Sequence, residues 1–500
     1  MTDDPAMEGA EPVTDYRDVA ADPKAAARAT LVILVSRVIV AALGWVGSVI
    51  VARSLSSEEW GQFSFVFALL GVMSIVTDLG VGRVVLAHLM GADRDEIART
   101  ASSFVALRTV LGVVGYVVAL AYVVLLGYPS DVVLATAVAG LVVVLATPSH
   151  ALTVLFQSRH RMLLVAVAES LGQTLQLALT VVAAVFAPVL LIFVLPVVAN
   201  ELFKLVVKAF GVARPSVGIT PSRHLDVWRW KPMLVEAVPL AIGFALTVAM
   251  MKIDILMLSL MDTYDAVGLY SIGYKFSDII DTFALAAAAP ISTLLVAAWP
   301  SEPDVFRDRT RTAAMLFGLA GAVCVVAFWP SAEPLIRLLY GDRFAPSADA
   351  ARLLVVGAAL MSLIVLGIFL LTAAGLQRRY PWVAVGGLIL NVGLNLVLIP
   401  RMSYDGAAIA TVVTWAACGT LLWVVIARTV PIQGLLPVRQ LAVLLILAAA
   451  LSGAGAYVVD RAPGTWPLVS LAAVVVLVGL AYVLRLMVGL PAPIGRRRAP

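Results

Sequence analysis

Apolar stretches of about 20 residues recur along the whole of this 500-residue chain, and in helical form that length is the thickness of a bilayer's hydrocarbon core. In hydrocarbon each segment must satisfy its own backbone N–H and C=O groups, which stretches of this length achieve as α-helices. Composition removes the soluble alternatives. The chain is 62% hydrophobic and 13% charged, whereas a soluble domain carries about 25% charged residues. Too little polar surface exists to cover a water-soluble core. The expected fold class is an all-α integral membrane protein.

Apolar runs divided by polar or turn-rich breaks predict about fourteen transmembrane helices. They fall near 29–53, 62–90, 102–126, 131–156, 163–186, 188–210, 232–260, 266–297, 312–330, 350–375, 380–400, 406–428, 439–459 and 465–487. Lysine and arginine set the orientation: with a cytoplasmic N-terminus, roughly four basic residues lie inside for each one outside. Both termini are therefore expected in the cytoplasm, with the chain in a bacterial-type plasma (inner) membrane. Residues 1–28 are polar and acidic and read as a disordered tail rather than a secretory signal, which opens with positive charge and an apolar run. Residues 488–500 read as a basic cytoplasmic tail.

Other function classes drop out quickly. A net charge of +4 does not mark a nucleic-acid binder. Cys324 and Cys418 both fall in apolar segments and offer neither a disulfide framework nor a metal pattern. None of the six lysines follows a glycine, as a phosphate-binding loop requires. His88, His150, His160 and His224 have no mutual metal spacing. No cofactor and no metal are expected. The outer loops are short; the longest, about 331–349, contains the amphipathic run Pro334–Gly341 and reads as an interfacial segment. With no loop able to house a catalytic domain, the expected activity lies between helices: a transporter, not an enzyme.

An internal repeat supports this. Residues 51–64 (VARSLSSEEWGQFS) align without a gap on 258–271 (LSLMDTYDAVGLYS) at an offset of 207, matching Gly61 and Ser64 to Gly268 and Ser271. Both stretches exit outward, turn and re-enter, so the repeat is parallel. The expected organisation is an N-lobe of six helices (29–210), a basic hinge (211–231), a C-lobe of six (232–428) and a two-helix extension (429–487).

The residues at these places resemble the polysaccharide-biosynthesis (Wzx-like) flippases of the multidrug/oligosaccharidyl-lipid/polysaccharide (MOP) exporter superfamily. The resemblance rests on Ser36-Arg37, the exit from Ala52 to Ser64, Thr77-Asp-Leu-Gly-Val81, Gly268-Leu-Tyr-Ser271, Leu339-Tyr-Gly-Asp342, Asn391-Val-Gly-Leu-Asn395 and Tyr404 to Ala410. It covers roughly residues 30–430 and is carried by order and spacing. The lipid II flippase MurJ is a more distant cousin. This chain departs from its first-helix pattern, in which an Arg-Asp pair follows the opening serine-arginine. The resemblance implies a V-shaped, MATE/MurJ-like, alternating-access transporter whose substrate is a polyprenyl-pyrophosphate-linked oligosaccharide. It also implies polymerase or export proteins of the same pathway as partners. A small-molecule exporter of the drug branch and a membrane glycosyltransferase or polymerase are the alternatives.

A charge at a helix centre costs about 2.5–3.5 kcal/mol on insertion scales, so each one inside a span requires a reason. Arg37, Asp78, Arg108, Glu169, Glu201 and Glu236 fall in the cytoplasmic third, while Lys252, Asp254, Lys275, Asp278 and Asp281 lie between the midplane and the outer half. Two layers of charge predict a polar cavity. Arg37, Arg108, Lys252 and Lys275 are the candidate ligands for the pyrophosphate, which needs several cations to leave water. Asp78, Asp254, Asp278, Asp281, Glu169 and Glu236 are candidates for coupling to H+ or Na+ or for ion pairs. Structural readings stand beside these: an Arg37–Asp78 pair, a snorkelling Arg108, and mutual neutralisation of Lys275 and Asp278. Asn391 and Asn395, four apart on one face, are candidate sugar contacts or helix–helix contacts. Trp45, Trp60, Trp228 and Trp230 fit interfacial anchoring as well as sugar stacking.

Overall fold

The computed structural model describes residues 23–78, 80–89, 94–159, 161–213 and 225–484. The predicted basic tail lies outside them, as do most of the acidic tail and the middle of the hinge. All regular structure among the described residues is helical. In chain order the helices are α1 (Pro23–Ser54), α2 (Ser57–Asp78), α3 (Val81–Leu89), α4 (Arg94–Leu125), α5 (Ser130–Ser158), α6 (Met162–Phe186), α7 (Leu190–Val212) and α8 (Trp230–Met261). They continue with α9 (Tyr264–Ala298), α10 (Pro303–Phe328), α11 (Ala332–Tyr340), α12 (Ala348–Ala373), α13 (Tyr380–Thr429), α14 (Val438–Arg461) and α15 (Trp466–Val483).

Eleven stretches among the described residues are long and apolar enough to cross a membrane. The predicted fourteen is reached only when α13 is divided and α2 and α8, of 22 and 32 residues, are added. The division of α13 is physical. Ser403 breaks the helix with φ 53° inside the predicted 400–406 turn, and a Cβ on Gly406 would overlap the Leu398 carbonyl. Between α6 and α7 the chain leaves helical geometry at Ala187 (φ −156°, ψ 75°), as the residue before a proline tends to. Exposed Val117, Phe186, Ile389, Ile446 and Val475 would be an aggregation surface in water. In lipid they are the ordinary solvent face.

The chain forms two compact units, Met1–Ile50 with Val76–Leu240, and Val51–Ile75 with Ala241–Pro500. It passes from one to the other within α1, α2 and α8. The first unit has its core around Val85, Phe104, Leu155, Phe156 and Val165. The second is centred on Leu295, Phe306, Leu366, Leu370, Leu422 and Ile426. Leu444 of α14 and Leu477 of α15 pack with Val326 of α10.

Within the second unit the two copies of the aligned segment meet each other. A Cβ added to Gly61 would strike the Tyr264 carbonyl, and one added to Gly268 would strike the carbonyl of Ser57. Ser57 and Tyr264 are themselves equivalent at the 207-residue offset, so the contact is reciprocal, like that across a two-fold axis. Ser64 donates to its equivalent, Ser271, at 2.9 Å. Ser57 Oγ also donates to Asp265. Small residues permit this backbone approach, which supplies the packing that lipid-embedded helices must rely on.

A second reciprocal arrangement closes the same region. Arg53 Nε donates to Leu339 O at 2.7 Å and its Nη2 to Leu338 O, at the end of α11. Arg343 Nη1 donates to Leu55 O at 2.6 Å and its Nη2 to Arg53 O at 2.9 Å, at the end of α1. Each helix's terminal carbonyls, which have no intrahelical donor, are satisfied by an arginine belonging to the other segment. The amphipathic run at Pro334–Gly341 is α11 itself, with Ile336 and Tyr340 buried and Leu338 exposed.

The glycine crossing predicts a sharp positional effect. Gly61→Ala and Gly268→Ala should each cost about 1–3 kcal/mol, the scale of overpacking, read as a lower thermal unfolding midpoint in detergent. Gly386→Ala, where a Cβ meets nothing within 4 Å, should leave the midpoint unchanged.

Candidate functional site

In the first unit three intramembrane cations, Arg108, Lys204 and Lys208, each pair with a carboxylate. Arg108 on α4 is 3% exposed; its Nη1 donates to Thr77 O at 2.5 Å and to Asp78 Oδ1 at 2.7 Å. The guanidinium thus sits against the C-terminal end of α2, where carbonyls and a carboxylate are both unsatisfied by the helix. This replaces two of the structural readings made from sequence. Asp78 takes Arg108 rather than Arg37, and Arg108 is buried rather than snorkelling. Arg37 is exposed and makes no ion pair among the described residues.

Lys208 on α7 is 1% exposed. Its Nζ donates to Thr153 Oγ1 at 2.9 Å and approaches Glu169 Oε1 at 3.5 Å. Lys204 pairs with Glu201 on the same helix. His150, one turn before Thr153, lies within electrostatic reach of Lys208, Arg108, Lys204 and Asp78. Glu236 is exposed and joins none of these pairs.

The second unit is built differently. Asp254 on α8 is 1% exposed and receives only neutral donors. Tyr270 OH donates to Oδ2 at 3.0 Å, Thr411 Oγ1 to Oδ2 at 2.7 Å, and Asn395 Nδ2 to Oδ1 at 2.7 Å. Asn395 Nδ2 also reaches Asn391 Oδ1 at 3.0 Å. The two asparagines on one face of α13 therefore serve the carboxylate of another helix. Asn395 Oδ1 remains buried without a partner. Hard oxygen atoms around one carboxylate, with no lysine or arginine among its hydrogen-bond partners, suit a proton or a monovalent cation. No group of three or more His, Cys, Asp or Glu residues capable of holding a metal ion exists among the described residues.

The two lysines of this unit rest on aromatic faces. Lys252 Nζ lies 4.7 Å from the centroid of the Tyr274 ring, and Lys275 Nζ lies 5.9 Å from that of Trp60. Tyr274 is held by its hydroxyl, which donates to Met251 O at 2.8 Å. Trp60 is 1% exposed, so it is a core platform and not an interfacial anchor. Among the described residues no carboxylate lies within ion-pair distance of either lysine; Lys275 and Asp278, three apart on α9, do not pair. Asp281, a turn further on, keeps Oδ1 buried without a partner. The structure thus gathers Asp254, Asn391 and Asn395 into one network and puts Lys252 and Lys275 on rings. It leaves Arg37 and Glu236 outside any of these clusters, while Asp278 and Asp281 lie within electrostatic reach of Lys275 and Lys252 respectively, without forming an ion pair.

Residues 26–292 match the family described as Polysaccharide biosynthesis protein. Over 202 residues the chain is 27% identical to the multidrug resistance protein NorM of Burkholderia vietnamiensis, a match covering 38% of this chain and 44% of NorM. The chain therefore spans less than half the length of that curated relative. Its fold is similar to that of the lipid II flippase MurJ in an inward closed conformation, with a TM-score of 0.70 at 12% identity over 90% of this chain and 99% of MurJ. It is also similar to an inward-facing multidrug resistance MATE family transporter of the MOP superfamily (TM-score 0.65, 14% identity, 78% of this chain and 96% of that one). A MOP superfamily transporter from Pyrococcus furiosus with a binding pocket of reverse polarity aligns at a TM-score of 0.57 and 14% identity, over 83% and 97% of the two chains. At these identities the solved structures establish a common fold.

The Arg108–Asp78 pair makes a measurable prediction. Arg108→Ala should cost roughly 1–3 kcal/mol, less than a fully buried pair because the Asp78 side chain is 44% exposed. Adding Asp78→Asn should recover part of that loss, since the uncompensated carboxylate is then gone. Thermal midpoints of the two single variants and the double variant give the coupling.

Proposed function

The chain belongs to the polysaccharide biosynthesis protein family, and we propose that it is a flippase. It carries a polyprenyl-pyrophosphate-linked oligosaccharide from the cytoplasmic to the outer leaflet of the plasma membrane by alternating access. One observation carries the substrate class: Lys252 and Lys275 are intramembrane cations held on rings rather than by carboxylates. A cation–π contact at such a site is worth about 0.5–2 kcal/mol, and a charge-assisted bond to phosphate about 1.5–3 kcal/mol. A diphosphate therefore outcompetes the rings for both ammonium groups. On the cytoplasmic side, where such a substrate is made, Arg37 is exposed and Arg108 shares its guanidinium with one half-exposed carboxylate. Arg37 meets the head group first and Lys252 and Lys275 receive it, while Arg108 stays bound to Asp78 at the end of α2.

The proposed organisation is two six-helix lobes related as a parallel repeat, with α14 and α15 as the extension. The reciprocal contact of Gly61 and Gly268 at the repeat offset supports it. We assign coupling to Asp254. A carboxylate surrounded by neutral hydroxyls and amides gains or loses a proton, or binds Na+, without first breaking an ion pair. The drug-branch reading draws on the NorM match and shares this coupling site.

Flipping is tested in proteoliposomes with the lipid-linked oligosaccharide and a membrane-impermeant glycan-modifying reagent outside. Wild type should make the lipid accessible, and Lys252→Ala/Lys275→Ala should slow this about a hundredfold, the loss of two charge-assisted bonds. Transport of cationic dyes with no lipid movement would replace the flippase by the exporter. Asp254→Asn should retain lipid movement along its own gradient but lose any response of the initial rate to an imposed H+ or Na+ gradient. Tyr270→Phe, which removes one donor and leaves the carboxylate, should keep that response.

A further inference from the structure

On the first unit α6 and α7 oppose two polar stripes. Lys208, Lys204 and Asn200 follow one another at four-residue intervals on α7 and so share a face. Against them stand Glu169, Gly172, Gln173 and Gln176 of α6. Lys208 approaches Glu169 at 3.5 Å, Gly172 lies against the stem of Lys204, and Asn200 Nδ2 donates to Gln176 Oε1 at 2.6 Å and to Gln173 Oε1 at 3.4 Å. Lys208 and Asn200 are separated by about 12 Å along the helix. The charged end is cytoplasmic; the deeper end carries three neutral amides.

These amides are not closed on themselves. Asn200 turns both glutamine carbonyls toward its own nitrogen, which leaves the two Nε2 groups without a protein acceptor among the described residues, while Asn200 Oδ1 is buried without a donor. A network whose purpose is to join two helices satisfies its members, because an unpaired amide in a low-dielectric interior is costly. Asn200 Oδ1 packs on Gly172, where a Cβ would overlap it, and a Cβ on Gly44 of α1 would stand 3.6 Å from Gln173 Nε2. Gln173 and Gln176 are both half-buried, so they remain reachable. What is missing is a group that accepts from N–H and donates to C=O. A hydroxyl does both; a phosphate oxygen only accepts.

We infer that Gln173, Gln176 and Asn200 form a neutral hydrogen-bonding site for sugar hydroxyls, which reads the glycan beyond the pyrophosphate linkage. The inference rests on the flippase reading above. With the diphosphate at the charged end, beside the exposed Arg37, whose neighbour Ser36 bonds Ala166 and Ser170 of α6, the amides lie too far along α6 and α7 to meet the linkage and instead meet the saccharide. Asn200 positions the two glutamines, and their Nε2 groups touch the substrate. The site therefore governs which glycans are moved rather than whether the lipid diphosphate is engaged.

The test compares two lipids in the same proteoliposomes, one polyprenyl pyrophosphate bearing a single sugar and one bearing the oligosaccharide. Gln173→Leu/Gln176→Leu keeps side-chain size in an apolar segment, and its thermal midpoint is measured alongside. The oligosaccharide rate should fall about tenfold, the loss of two modest hydrogen bonds, while the single-sugar rate changes less than about twofold. Equal slowing of both lipids, or of neither, overturns the glycan site while leaving the flippase reading intact. Wild type moving neither lipid overturns that reading and this inference with it. Asn200→Ala, which frees the glutamine carbonyls, should give a smaller loss in the same direction; if that variant does not fold, the glutamine pair decides alone.

Discussion

Inside a bilayer the apolar surface of a helix is no better off against another helix than against lipid, so burial does little to hold a helical bundle together. What remains is close backbone approach and the demand that every polar group find a partner. Both operate where the second unit packs its two equivalent segments. Gly61 and Gly268 bring α2 and α9 into backbone contact, and Ser64 with Ser271 spends two hydroxyls on one another in the same interface. Arg53 and Arg343 complete the second requirement by terminating each other's helices. An arginine is suited to this because its planar fork supplies several donors at fixed angles to neighbouring carbonyls. Residues 51–75, although early in the chain, are thereby built into the unit made by its second half.

The same demand separates the charges into two kinds. Arg108, Lys204 and Lys208 each have a carboxylate partner within their own unit. A paired charge is tolerated in the membrane at modest cost, and its geometry is fixed by its partner. Among the described residues Lys252, Lys275 and Asp254 have no such partner. They are held by ring faces or neutral donors, which stabilise a charge less than an ion pair does. The two kinds of charge are thus distinguished by what they touch, not by depth, which the sequence alone can supply.

That distinction explains which parts of the site were legible beforehand. Span positions follow from hydropathy, because the bilayer imposes one length on every crossing. Gly61 and Ser64 recur as Gly268 and Ser271 at an offset of 207, and in the structure these are the residues that bring the two segments together. The four-residue spacing of Asn391 and Asn395 correctly put both on one face. Their target, Asp254, is 141 residues from Asn395, and no local pattern announces a partner that distant. Lys208 shows the same limit. Near a helix end a lysine with a free path to water is interfacial, and only the packing of α5 and α6 over Lys208 removes that path. The kink at Ser403 was predicted as a loop; the helix resumes at once, with one residue at positive φ and Gly406 packed against the Leu398 carbonyl across the kink.

Aromatic rings also bear on the choice between a flippase and a drug exporter. A lipophilic cation entering a cavity is held chiefly by ring faces and by carboxylates. In the second unit the faces of Tyr274 and Trp60 are each occupied by an ammonium of the chain itself. Asp254, fully enclosed, has its oxygens engaged by Tyr270, Thr411 and Asn395. A cationic drug would have to displace a lysine from its ring and then remain beside it, so the repulsion between like charges is added to the lost contact. An anionic head group meets the opposite situation: it approaches a cation and needs no ring. The ring contacts of Lys252 and Lys275 thus agree with the anionic substrate proposed above, and Asp254, held by neutral donors, with the coupling role proposed for it.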